Sequence, residues 1–108
     1  MDNRGHKKRP GFRICGNKGF HITFENGWTV SVQFGPGNYC DNYDLQMGED
    51  EIKAGKQGSS TAECAIIDPK GNLFPYPDWG GDTVSNRSTP KDVAKFIQWA
   101  AGLGGANA

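Results

Sequence analysis

The chain has 108 residues, of which only 35% are hydrophobic and 16 are glycine, so it has room for one small two-layer domain with turn-rich connections. Its formal net charge is zero, no apolar run approaches the length that crosses a bilayer, and no apolar segment follows the charged start to make a secretory leader. Together these features predict a soluble cytosolic protein with no membrane partner. Cys15, Cys40 and Cys64 are odd in number and widely spaced, with no C-x-x-C pair, which argues against a disulfide framework and against a zinc site completed by His6 or His21. Reduced thiols, some buried as small hydrophobes, are expected instead.

Residues 1–18 show no periodicity and include Gly5, Pro10 and Gly11, so they read as a flexible arm. The charge is unevenly spread. Residues 1–19 carry Arg4, Lys7, Lys8, Arg9, Arg13 and Lys18 against Asp2 alone, a net +5, and the remainder carries six basic and eleven acidic residues, a net −5. A basic arm on an acidic body is one way to hold nucleic acid, through Arg4, Lys7, Lys8, Arg9 and Arg13. A solubilising leader is the plainer reading, since Phe12 is the one aromatic residue there to stack on a base.

"GFHITFENGWTVSVQF" then alternates apolar and polar residues in two runs and predicts two strands. A two-residue Asn26-Gly27 turn mixes both faces. A three-residue loop, Glu25-Asn26-Gly27, pairs Phe24 with Trp28, Ile22 with Val30 and Phe20 with Val32. It places His21, Thr23, Thr29 and Ser31 on the opposite, polar face. Gly27 supplies the left-handed residue that such a loop requires in third place.

The following "GPGNYC" has neither the lysine of a P-loop nor a helix behind it, and Pro36 removes a backbone donor, so it reads as a corner and not as a phosphate cradle. "CDNYDLQMGEDE" fails the EF-hand spacing, with Tyr43 at a ligand position and its glycine at 48. The stretch is either a solvated loop or a surface for a basic partner, with Tyr39, Asp41, Tyr43, Asp44, Glu49, Asp50 and Glu51 as the candidate contacts. Acids clustered in this way also imitate nucleic-acid phosphates.

"TAECAII" and "NLFPY" predict a second hairpin, closed by the turn Asp68-Pro69-Lys70-Gly71 and ended, or placed at an edge, by Pro75. Trp79 follows among turn residues, either as a lid on the core or as an interface ring, with Asp78 and Asp82 close to it in sequence. In "STPKDVAKFIQWAAGLGG", Thr89 is the expected N-cap, Pro90 the first helical residue, and Asp92 lies three after the cap. Val93, Phe96, Ile97, Ala100 and Leu103 form the apolar stripe, and Gly102 or Gly104 stops the helix. The predicted fold is α+β: a four-stranded antiparallel sheet of two hairpins covered on one face by a C-terminal amphipathic helix, in the order ββββα. The organisation expected is an arm over 1–18, a domain over 19–104 and a tail over 105–108.

No catalytic residue emerges. His21 has no nucleophile to orient and no cleft around it, and the G-x-S-x-G and H-E-x-x-H patterns are absent from the sequence. No cofactor or metal is expected, and a small enzyme or nucleotide-binding domain is the least supported reading.

At "GFHITFENGWTVSVQFGPGNYCDN", and on through "TAECAIIDPKGN" to "TPKDV", the chain resembles small uncharacterised proteins encoded by bacteriophages, over roughly residues 19 to 101. The resemblance attaches no catalytic or binding residue to any position. It implies a context in which small proteins without catalytic motifs bind and block a host or defence protein in the host cytoplasm, as anti-CRISPR and other counter-defence factors do. The expected function is therefore that of a non-enzymatic inhibitor acting through the 39–51 loop and Trp79. An exposed edge strand also leaves room for dimerisation.

Overall fold

The structure is a computed structural model that describes residues 9–16, 18–35, 40–41, 49–54 and 58–104. One antiparallel sheet carries five strands in chain order: β1 (Gly11–Ile14), β2 (Gly19–Thr23), β3 (Thr29–Gln33), β4 (Glu63–Ile67) and β5 (Leu73–Phe74). A short helix, α1 (Glu49–Lys53), lies between β3 and β4, and α2 (Pro90–Ala101) closes the fold. No described helix is long and apolar enough to cross a membrane.

The sheet has one strand more than the sequence predicts. Gly11–Ile14 falls in the stretch read as arm, yet it pairs with β2 in the register Phe12↔Ile22, Arg13↔His21 and Ile14↔Phe20. Pro10 and Gly11 look like breakers but stand at the strand's start, where a missing N–H and a φ of 139° at Gly11 are tolerated. The connection back to β2 is closed by Cys15, whose N–H donates to the Gly19 carbonyl at 2.9 Å.

The central hairpin has the predicted register. Phe20 faces Val32 and Ile22 faces Val30, while the Phe24 N–H donates to the Trp28 carbonyl at 2.9 Å across the loop. Gly27 has a φ of 91° and donates to the Phe24 carbonyl. The second hairpin turns at Asp68, whose carbonyl accepts the Gly71 N–H and whose Oδ1 accepts the N–H groups of Lys70 and Asn72. β5 stops before Pro75, as a residue without an N–H donor requires.

Helix α2 begins as its sequence dictates. The Thr89 hydroxyl accepts the Asp92 N–H at 3.2 Å and the Asp92 carboxylate accepts the Thr89 N–H at 3.3 Å, a reciprocal cap with Pro90 at the first helical position. Its buried face, Phe96 and Ala100, joins Trp28, Val30, Val32, Cys64, Ile66 and Tyr76 in one core, with Val93, Ile97 and Leu103 packed at its margin. At the other end the β2–β3 loop reaches over the helix terminus. Asn26 Nδ2 donates to the carbonyls of Ala100 (3.0 Å) and Leu103 (2.8 Å), and its Oδ1 accepts the Trp28 N–H (3.0 Å). Trp28 Nε1 donates to the Gly104 carbonyl at 3.1 Å.

The sheet's polar face is less open than alternation implies. Thr23, Thr29 and Ser31 are buried, with Thr23 and Thr29 sharing a 2.9 Å hydrogen bond and Ser31 accepting one from Gln33 Nε2. β3 is the middle strand, so its short polar side chains have a neighbouring strand on each side.

Candidate functional site

After Pro75 the chain makes a 3-10 turn at Pro77–Trp79, passes Gly80 (φ 63°) and Gly81 (φ 91°), and returns to the edge of β4 that β5 leaves open. Val84 bridges Ala65 there, and Ser88 bridges Ala62 with reciprocal bonds of 2.8 and 2.9 Å. Between this returning segment, Trp79 and the first turns of α2 lies a cleft of about 420 Å³. Its walls carry Trp79, three carboxylates (Asp78, Asp82 and Asp92) and two cations, Arg87 and Lys95.

Trp79 packs against the core and reaches the surface. It is half-buried, with its ring 4.9 Å from Phe96 and 5.2 Å from Tyr76, and it still lines the cleft. Tyr76 is buried, and this burial raises its hydroxyl's pKa above the ordinary phenol value, with Asp78 adding to the shift.

The acidic stretch meets one residue of the cleft wall, Arg87, through its first carboxylate. Asp41 Oδ1 lies 3.5 Å from Arg87 Nε, its Oδ2 accepts a hydrogen bond from Ser60, and its N–H donates to Thr61 Oγ1 at 3.0 Å. The Ser60 bond is the main reason that its carboxyl titrates below the ordinary value, and Thr61 and Arg87 act in the same direction. Arg87 reaches this position from a left-handed backbone, φ 54°, the one non-glycine positive φ among the described residues. Glu49 and Asp50 are exposed in α1, and Glu51 continues that helix. Tyr39, Tyr43 and Asp44 lie outside the described residues, as do Arg4, Lys7 and Lys8 of the arm.

Of the basic candidates, Arg9 is exposed, and Arg13 projects from β1 and donates to His21 Nδ1 at 2.8 Å. Both line a second groove, of about 330 Å³, with His21 and Thr23 and, among the described residues, without a carboxylate. The "GPGNYC" corner is described only at its ends, where Gly35 donates its N–H to Cys40 Sγ (3.2 Å) and accepts the thiol proton (3.6 Å).

A nucleophile at the 420 Å³ cleft has little to work with. Ser85 and Ser88 are hydrogen-bonded to one another at 2.8 Å, Ser85 Oγ also accepts the Cys64 N–H, and no histidine among the described residues lines the cleft. The Cys64 thiol behind them is pushed from an ordinary 9.0 up to about 11, chiefly by burial, so it is protonated at neutral pH. Among the described residues, no three His, Cys, Asp or Glu side chains converge to hold a metal ion.

The Cys64 shift has a measurable consequence for stability. Below pH 9.0 both folded and unfolded chains hold the thiol proton, and the contribution is complete. As pH rises from there to about 11 the unfolded chain releases its proton first, so the folded state loses ground, and the raised Tyr76 hydroxyl acts in the same direction at the upper end of that window. Urea titrations at about pH 8 and about pH 10.5 should show roughly 1–2 kcal/mol more loss in the wild type than in Cys64→Ala. Equal losses would remove Cys64 as the source.

The sequence names Trp79, Asp78 and Asp82 but gives no sign of the cleft, because Val84–Ser88 joins the edge of β4 through two isolated bridges that leave no alternation to read. Compared with protein-family models, curated proteins and solved structures, the chain finds no match.

Proposed function

We propose that the protein is a non-enzymatic inhibitor that docks on a basic surface of another protein through the Trp79 cleft and the acidic stretch beside it. One observation carries the reading: Arg87 lines the same cleft as Trp79, Asp78 and Asp82, and is itself paired with Asp41 at the root of the 40–51 stretch. A ring with one face in the core and carboxylates around its open side is a suitable anchor for a lysine- or arginine-bearing surface, offering both aromatic contact and charge. The resemblance to phage-encoded proteins supplies the context, a host or defence protein blocked in the host cytoplasm in the manner of an anti-CRISPR or other counter-defence factor.

The test is affinity capture from a bacterial lysate, with and without nuclease, using the wild type and the Asp78→Lys, Asp82→Lys double variant. The expected result is one stoichiometric protein that survives nuclease and whose recovery falls about tenfold or more in the variant. Recovery of nucleic acid, or of proteins that disappear with nuclease, would move the function to the basic arm.

A further inference from the structure

β1 is the outermost strand, and among the described residues nothing pairs with its outer edge. The alternation of its ladder identifies which groups face outward. Cys15 and Gly19 form a hydrogen-bonded pair, so Arg13↔His21 and Gly11↔Thr23 exchange the next bonds, and the N–H and C=O groups of Phe12 and Ile14 point away from β2. The side chains of the same two residues are the most exposed large hydrophobics described, Phe12 at 83% and Ile14 at 79%. Opposite Ile22 and Phe20, they extend the apolar face of the sheet beyond the core packed under α2. The other face of the same strand is basic, with Arg13 and Arg9 in the 330 Å³ groove, which no carboxylate among the described residues lines.

We propose that β1 is a docking edge for an extended segment of a partner protein that alternates apolar and acidic residues. Such a segment adds a sixth strand to the sheet. Its backbone satisfies the outward groups of Phe12 and Ile14, its apolar side chains cover those two residues, and its acidic side chains fall on the Arg9 and Arg13 side.

Charge complementarity selects this occupant over a second copy of the chain. The two-fold antiparallel register that satisfies both Phe12 and Ile14 sets Arg13 directly opposite its own copy, and it brings together two segments that each carry +5 over residues 1–19. Nucleic acid neutralises the arginines but presents no strand edge to the Phe12 and Ile14 backbone. The surface is separate from the Trp79 cleft and does not depend on it.

The probe is a short blocked peptide alternating valine and glutamate, titrated into the isotopically labelled protein and followed by amide shifts and by fluorescence anisotropy. The comparison ligands are the valine–lysine peptide and single-stranded DNA. The expected result is shifts concentrated at Gly11–Ile14, no binding of the lysine peptide, and weaker binding of DNA than of the glutamate peptide. Ile14→Pro removes an outward-facing donor together with the exposed isoleucine side chain, on an edge strand where β-sheets tolerate proline, and should weaken peptide binding about tenfold while leaving the melting curve unchanged. Phe12→Glu alters an exposed side chain and should weaken it at least as much, so the test does not depend on a single variant. Shifts elsewhere than β1, equal binding of the lysine peptide, tighter binding of DNA, unchanged affinity in both variants, or dimerisation through β1 in place of peptide binding would each overturn the proposal.

Discussion

Gly19→Ala should cost roughly 4 kcal/mol of folding stability, combining backbone strain with an overlap that the sheet has no room to relieve. Gly19 opens β2 with a φ of 140°, a conformation that side-chain-bearing residues rarely adopt. A Cβ placed there would sit 2.1 Å from the Val32 carbonyl oxygen and 2.7 Å from the Gln33 Cα, both backbone atoms of β3. Relief therefore requires separating the two strands at the centre of the sheet, since no flexible side chain is present to swing aside. Gly16→Ala is the internal control. Gly16 also has a positive φ, 56°, but nothing lies within 4 Å of its would-be Cβ, so it should lose only about 1 kcal/mol. Urea denaturation of both variants separates the contributions. Equal losses would mean that strain alone acts and that the overlap is relieved.

Asn26→Asp should cost roughly 3 kcal/mol, and more than Asn26→Ala, because it sets a negative charge against carbonyl oxygens that already carry the negative end of a helix. The amide orientation is fixed by its partners. The NH₂ meets three carbonyls at the helix end, of Ala100, Ala101 and Leu103, and the oxygen meets the Trp28 N–H. Alanine leaves those carbonyls without this donor, at a cost of about 1–3 kcal/mol. Aspartate keeps the acceptor side and turns the donor side into repulsion. The loss should appear in thermal melts as a lower transition and in amide exchange as earlier opening of residues 100–104 than of β3. A variant no less stable than Asn26→Ala would indicate that solvent screens the helix end.

What was legible in the sequence, and what was not, follows from where the information lies. The β2–β3 register could be derived because one face is apolar at every second position and because Gly27 admits only one loop length without mixing the faces. The start of helix α2 could be placed to the residue because Thr89, Pro90 and Asp92 each supply a local reason to start there. β1 has no such signature. Its four residues, Gly-Phe-Arg-Ile, follow a proline and sit in a run of charges, and they are a strand because β2 offers an edge at the right distance along the chain. The burial of Thr29 and Ser31 is likewise a property of their position in the middle strand and not of their own polarity. For the candidate site, composition pointed to Trp79 and Asp41 separately. Only the left-handed turn at Arg87 brings them to a common neighbour, and a positive φ at arginine is not something a sequence announces.

Strand order along the sheet follows strand order along the chain, and the helix that covers the apolar face comes after all five. On the ribosome, each hairpin therefore becomes available to pair as soon as its second strand emerges, while Val30, Val32 and Ile66 have no cover until residues 90–104 leave the exit tunnel. The nascent chain passes through an interval with a formed sheet and an open greasy face, and in that interval chaperones and other nascent chains compete with α2 for it. Docking of the helix and closure of Asn26 and Trp28 over its last carbonyls then coincide, so the segment that covers the core also latches itself in place.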